Sequence, residues 1–111
     1  MSFSLTTPQM RDGTKDVTRR LGWMDIEVGD KLWAVEKAQG LKKGQHMTKI
    51  GLIEVVSARL EHLCDITAEE CKREGFPDLS PGEFIDMFMR ATRCHASQVV
   101  NRIEFRRLVE E

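Results

Sequence analysis

Thr48-Lys49-Ile50-Gly51-Leu52-Ile53-Glu54-Val55-Val56-Ser57-Ala58-Arg59-Leu60 is the stretch whose reading decides the fold. Its β-branched residues Ile50, Ile53, Val55 and Val56 favour a long strand over a helix, since two heavy atoms on Cβ suit a pleated surface better than a helical turn. Gly51 marks a bulge within it. A strand of this length is expected to bend around a barrel.

Downstream, Thr67 can cap a helix with Glu70 three residues on, a capping-box spacing, and that helix should stop near Gly75. Ser80-Pro81-Gly82-Glu83 repeats the cap logic, and Phe84, Met87 and Phe88 recur at helical spacing, which predicts a second, amphipathic helix. That stripe reads as core packing and not as a cofactor pocket. Residues Gln98 to Leu108 set Val100, Arg102, Glu104 and Arg106 against Val99, Asn101, Ile103, Phe105 and Arg107, the alternation of a closing strand.

Upstream, Phe3-Ser4-Leu5-Thr6 is a short strand candidate, and Thr7-Pro8 offers a cap followed by proline at the first position of a brief helix ending at Gly13. Asp30 to Glu36 alternates in the strand manner, with Leu32 or Trp33 on its inward face and Trp33 filling the core. Gly40 to Gly44 reads as a lysine-rich turn. The order predicts a small α+β protein: a barrel-like sheet of mixed strands with a short N-terminal helix and two later helices.

The 111 residues fit one domain, and 41% hydrophobic with 32% charged residues is the balance of a soluble globular chain and not of a disordered one. No apolar run approaches the roughly 20 residues of a membrane helix, so no membrane partner is expected. Met1 to Thr7 lacks the basic and long apolar segments of a secretory signal, which predicts a cytoplasmic location. The three cysteines, Cys64, Cys71 and Cys94, form neither a disulfide framework nor a zinc pattern. Cys94-His95 is not a nucleophile and base pair, because adjacent side chains on a regular element point apart. His46, His62 and His95 have no metal-ligand spacing, and there is no phosphate-binding glycine loop or dinucleotide fingerprint, so neither a metal nor a cofactor is expected.

A net charge of −1 provides no long-range field for polyanions, so any such binding must be local. The positive residues cluster at Arg11 to Arg20, Lys37 to Lys49 and Arg102 to Arg107. Asp12-Gly13-Thr14-Lys15-Asp16-Val17-Thr18-Arg19-Arg20 makes up most of the first of these. It combines an amine, two hydroxyls and two guanidinium groups, a donor set suited to a ligand rich in oxygen acceptors. If it is extended, Lys15 and Arg19 share one face while Thr18 and Arg20 share the other, so only a bend would bring Lys15 to Thr18. The same segment also suits an edge strand whose charges protect it from aggregation.

Within it, Lys15 can act as a base for Thr18 if desolvation and the charges of Arg19 and Arg20 lower its pKa. Glu36, Glu54, Glu69, Glu70, Glu74 and Glu104 are the candidate carboxylates. Glu74, before Gly75 at a helix C-terminus, sits where its charge opposes the dipole and so calls for a partner or a purpose. Trp23, beside Gly22, is the better placed tryptophan for stacking on a base.

The whole arrangement resembles the ASCH domain family, which has a PUA-like β-barrel fold. The likeness rests on Gly13-Thr14-Lys15-Asp16-Val17-Thr18-Arg19-Arg20, on Val28-Gly29-Asp30-Lys31-Leu32 as a turn into a barrel strand, on Ile50 to Val56 and on Ile103-Glu104-Phe105. It covers nearly the full chain, residues 1–111, as a single domain. Some small bacterial members are amidohydrolases of N4-acetylcytidine, and others are linked to RNA binding or RNA cleavage. For the first kind the resemblance implies that Lys15 activates Thr18, Thr18 attacks the amide carbonyl and Glu74 handles the proton on the leaving nitrogen. Arg19, Arg20 and Trp23 would hold the substrate. Thr18-Arg19-Arg20 and the lysine-rich Lys37 to Lys49 look more typical of phage or prophage members. The expected partner is therefore a nucleoside or, in the alternative, single-stranded RNA bound by a module with or without ribonuclease activity.

Overall fold

Fourteen residues, Lys49–His62, form the longest strand, β3, which is the spine of the molecule. The computed structural model describes residues 1–37 and 48–108, so the expected Gly40 to Gly44 turn and His46 lie outside the described residues. Along the chain, helix α1 (Thr7–Asp12), strands β1 (Val17–Arg20) and β2 (Lys31–Val35), β3, a 3-10 turn (Leu63–Asp65), helices α2 (Ala68–Arg73) and α3 (Pro81–Thr92) and strand β4 (Val99–Arg107) follow one another. The element types follow the sequence patterns except at Phe3 to Thr6, expected as a short strand, where Thr6 N–H donates to Phe3 O at 3.0 Å and closes a turn into α1, leaving only an isolated bridge at Ser2. No helix among the described residues is long and apolar enough to cross a membrane.

The four strands are ordered β1-β4-β3-β2, and each neighbouring pair is antiparallel. This corrects the expected mixed sheet. The helical excursion between β3 and β4 returns to the point where it began, with Leu63 N–H donating to Gln98 O and Cys64 N–H to Ala96 O, both at 2.9 Å. Two strands joined that way must run in opposite directions, as in a hairpin with a large loop.

Two irregularities curl the sheet. The register between β2 and β3 shifts between Ala34 and Val35, beside Gly51, and that between β3 and β4 shifts between Val55 and Ser57, leaving Val56 unpaired and 40% exposed. A bulge adds twist and bends its strand. It also moves the inward phase of β3, so that Ile53 and Val55 face the first core before it and Ala58 packs there after it. Gly51 has a second role, since a Cβ there would overlap the Arg107 guanidinium, which donates to Met10 O and Ile50 O.

The N-terminal segment brings the sheet's two edges together. Phe3 N–H donates to Val35 O at 2.8 Å and Val35 N–H to Met1 O at 2.9 Å, alongside an isolated parallel bridge between Ser2 and Val35. From the opposite edge strand, Arg20 Nη2 donates to Ser2 O at 2.7 Å. The result is an antiparallel half-barrel with three α-helices among the described residues.

Burial divides into two cores. Phe3, Met10, Ala34, Ile53, Val55, Ile103 and Phe105 fill the first, with Phe3 and Phe105 ring centroids 5.7 Å apart. Leu63, Ile66, Cys71, Phe84 and Val100 form the second, between the sheet and α2 and α3. Each Val, Leu, Ile, Phe or Met side chain among them contributes about 1.5–3 kcal/mol on burial. Trp33 departs from expectation. Ala34 and Val35 are buried instead, while Trp33 is 38% exposed under the Lys49 ammonium, 4.3 Å from its ring centroid.

The caps hold with two adjustments. Ser80 and Glu83 make a full capping box, whereas Thr67 accepts from Glu70 N–H but the Glu70 carboxylate turns away to Arg102 and Arg19. At α1 the capping position falls on Thr6 and not Thr7, whose hydroxyl donates to Phe3 O.

Candidate active site

Lys15 is placed by a short loop pinned on both sides. Gly13, at φ +81°, ends α1, and the N–H groups of Thr14 and Lys15 both donate to Gln9 O. The carboxylate of Asp12 accepts from the Thr14 N–H and hydroxyl, a local turn that asparate favours. Asp16 N–H then donates to Arg73 O at the end of α2, and Asp16 O accepts from Phe105 N–H in β4, each at 3.0 Å. Lys15 is thereby held between α2 and the sheet.

Glu74 meets it there. The residue caps α2 and precedes Gly75, whose φ of +98° turns the chain away in a conformation that disfavours any side chain. The Lys15 ammonium donates to Glu74 Oε1 at 2.6 Å and to the Glu74 main-chain carbonyl at 2.9 Å. Both residues are buried. One cation thus neutralises the carboxylate and satisfies a carbonyl at the negative end of the helix. Burial pushes the Lys15 ammonium below its ordinary pKa against the opposing charge of Glu74, and the neighbouring Arg20 and Arg19 add to the lowering.

Lys15, Thr18, Arg20 and Glu74 line one cavity of about 140 Å³. The N-terminal residues Ser2 to Thr6 and the side chains of Phe76, Phe84, Met87 and Phe88 complete it. The apolar stripe of α3 therefore serves as cavity wall as well as core packing. Ligand sites for drug-sized molecules span roughly 300–1,000 Å³, so this cavity suits a small group at the end of a substrate and not a whole nucleotide.

Thr18 Oγ1 accepts a hydrogen bond from Arg20 Nε at 3.1 Å, which shows the two on one face of β1 as alternation predicts. Because the hydroxyl oxygen accepts from Arg20, its own proton is free to point elsewhere. No direct hydrogen bond joins Lys15 to Thr18 among the described residues. Arg20 is half-buried, stacks over the Phe3 ring at 4.7 Å from its centroid, and has its pKa lowered by burial.

Arg19 corrects the expectation that it holds a ligand. Its guanidinium is fully buried on the other face of β1, where it binds Glu74 Oε2 at 3.2 Å, Glu61 at 2.7 Å and Glu70 at 3.0 Å. It orients Glu74 from behind the cavity. Trp23 is also displaced from the site. At φ +63° and 47% exposed, it lines a separate groove with Met24, Ile26 and Leu32, its carbonyl accepting from Asn101 Nδ2.

Behind Glu74 lies an ion network that sequence reasoning missed. Arg102 chelates Glu70 at 2.6 and 3.2 Å, and Arg73 chelates Asp16 at 3.1 and 3.0 Å while also reaching Glu104 at 2.7 Å. The Arg102 hydrogen bond, with that of Arg19, holds the Glu70 carboxyl down at about 2 against the effect of burial. Arg102 shares the alternation face of Val100, which is the one signal that it would be buried and in need of a carboxylate. Among the described residues no cluster of three or more His, Cys, Asp or Glu is arranged to hold a metal.

No family model matches the sequence, and no curated protein matches it. Among solved structures, the chain is similar to protein EF3133 from Enterococcus faecalis V583, described under the family DUF984, with a TM-score of 0.66. The match covers 95% of this chain and 71% of that one at 12% sequence identity, a likeness of fold alone.

Proposed function

We propose that this protein is a cytoplasmic amidohydrolase of the ASCH kind, with a PUA-like barrel, that removes the acyl group from N4-acetylcytidine-like nucleosides. The observation that carries this reading is the buried Lys15–Glu74 pair, 2.6 Å apart, in one small cavity with Thr18. A base, a hydroxyl and a proton-carrying carboxylate beside a guanidinium are the parts that acyl transfer requires.

In the proposed reaction, Thr18 Oγ1 attacks the amide carbonyl carbon and its proton passes to neutral Lys15. Burial favours that neutral form. Arg20 faces the oxygen on which negative charge develops. Lys15 relays the proton to Glu74, and Glu74 delivers it to the leaving nitrogen as the C–N bond breaks. Water then cleaves the threonyl ester, releasing the carboxylate and restoring Thr18. The separation of Lys15 from Thr18 must close when substrate binds, as catalytic hydrogen bonds often tighten only then.

The test is release of cytidine from N4-acetylcytidine by the pure protein, with loss of release in folded Lys15→Ala and Glu74→Ala variants. No release by the folded wild type overturns the reading. Binding of single-stranded RNA that weakens steeply with salt would put the RNA-binding module, with or without ribonuclease activity, in its place. The pairing of Arg19, Arg73 and Arg102 with carboxylates leaves those charges little to offer phosphates.

A further inference from the structure

Three charged side chains line the small cavity, and their accounts do not balance locally. Glu74 is its one carboxylate among the described residues, and both of its oxygens are committed, Oε1 to Lys15 and Oε2 to Arg19 behind the wall. Arg20 has no carboxylate within ion-pair distance among the described residues. Its Nε and Nη2 are fixed by Thr18 Oγ1 and Ser2 O, and the Phe3 ring packs against the guanidinium plane. That leaves Nη1 with no hydrogen-bond partner among the described residues on a side chain that cannot swing away. The Thr18 hydroxyl proton and the third Lys15 N–H are likewise uncommitted.

We propose that Arg20, with Thr18 and Lys15, forms a binding site for the carboxylate of a small aliphatic acid. A preoriented guanidinium beside a hydroxyl and an ammonium suits two carboxylate oxygens better than a neutral group. The walls of Phe76, Phe84 and Phe88 suit a short alkyl tail, and the cavity of about 140 Å³ limits its size. The inference rests on the hydrolytic reading only for the ligand's origin: the acid is the product that amide cleavage leaves behind. Binding itself follows from a cation that has no carboxylate partner among the described residues.

Sodium acetate and sodium propionate, titrated into the full-length protein at ionic strength held constant with chloride, test the site by calorimetry and by amide NMR shifts. Saturable one-to-one binding in the roughly millimolar range is expected for so small a ligand. The shifts should be confined to the residues around the cavity, 2–6, 15–20, 74–76 and 84–88. Arg20→Gln should weaken binding about tenfold or more, as for loss of a charge-assisted hydrogen bond, while Arg59→Gln, on the surface, should leave it unchanged.

Absence of saturable binding, or shifts scattered over the surface, overturns the proposal. So does undiminished binding in a folded Arg20→Gln variant; if that variant does not fold, the wild-type shift map decides. Deacylation of N4-acetylcytidine without acetate binding refutes the carboxylate site and leaves the hydrolase. Acetate binding without deacylation supports the site and refutes the hydrolase.

Discussion

The Lys15 ammonium sits 2.6 Å from Glu74 Oε1 and 2.9 Å from the Glu74 carbonyl, bridging residues 59 apart in sequence. Arg19 holds the other carboxylate oxygen, so the two members of the pair are not equally replaceable. Lys15→Met leaves Glu74 with Arg19 and should cost about 1–3 kcal/mol, whereas Glu74→Leu leaves two buried cations short of a partner and should cost about 3–5 kcal/mol. Urea unfolding measures both, and equal costs would remove Arg19 from the account. Each variant should lower deacylation of N4-acetylcytidine by about 10²–10⁴-fold.

Arg19→Met separates stability from ligand contact. Because the guanidinium is buried against Glu61, Glu70 and Glu74, its removal should destabilise by about 3–5 kcal/mol. A variant that keeps full stability but loses substrate affinity would restore Arg19 to the ligand.

Glu70 provides an acid-sensitive joint. Its carboxyl is depressed from 4.5 to about 2 in the folded state, so its stabilising effect is fully present above about pH 4.5 and is lost as pH falls toward 2. The urea midpoint of the wild type should drop through that window. Glu70→Gln should start lower at neutral pH and show a shallower decline, and parallel profiles for the two proteins would contradict the assignment.

Gly75→Ala tests how Glu74 is aimed. At φ +98° an alanine is strained, and its Cβ would lie 2.8 Å from Gln9 Cγ. A loss of about 1–3 kcal/mol is expected, with deacylation falling more than the loss of folded protein explains. Thermal unfolding and kcat/KM measured on the same preparation distinguish these effects.

Trp23→Gly keeps the left-handed backbone while deleting the ring. Since Trp23 lines a different groove from Lys15, kcat/KM should stay within about twofold of wild type. A large rise in KM would return Trp23 to the substrate.

The elements were legible because their signals are local. Gly13 and Gly75 mark helix ends, Ser80 and Glu83 make their box within one turn, and β-branched residues carry β3. Lys15, Thr18 and Glu74 were picked out by spacing and resemblance, and the fold does bring all three to one cavity. Trp33 was misplaced because strand alternation does not say which face is inward, and here Ala34 and Val35 are the buried residues. Mixed strand direction was expected because no local pattern records that the helices return the chain to its point of departure.

By itself, the sequence determined the helices and the strands from Val17 onward and where they stop, since periodicity, caps and glycine conformations act within a few residues, while Phe3 to Thr6 turns where a strand was expected. Only the tertiary structure decided which charge meets which. Arg19 and Arg20 are adjacent in the chain, yet one is locked among three carboxylates and the other faces the cavity with no carboxylate in ion-pair distance among the described residues. The reason is that a buried charge must find its partner from whatever the packed strands and helix ends bring near, and those partners lie 42 to 59 residues away.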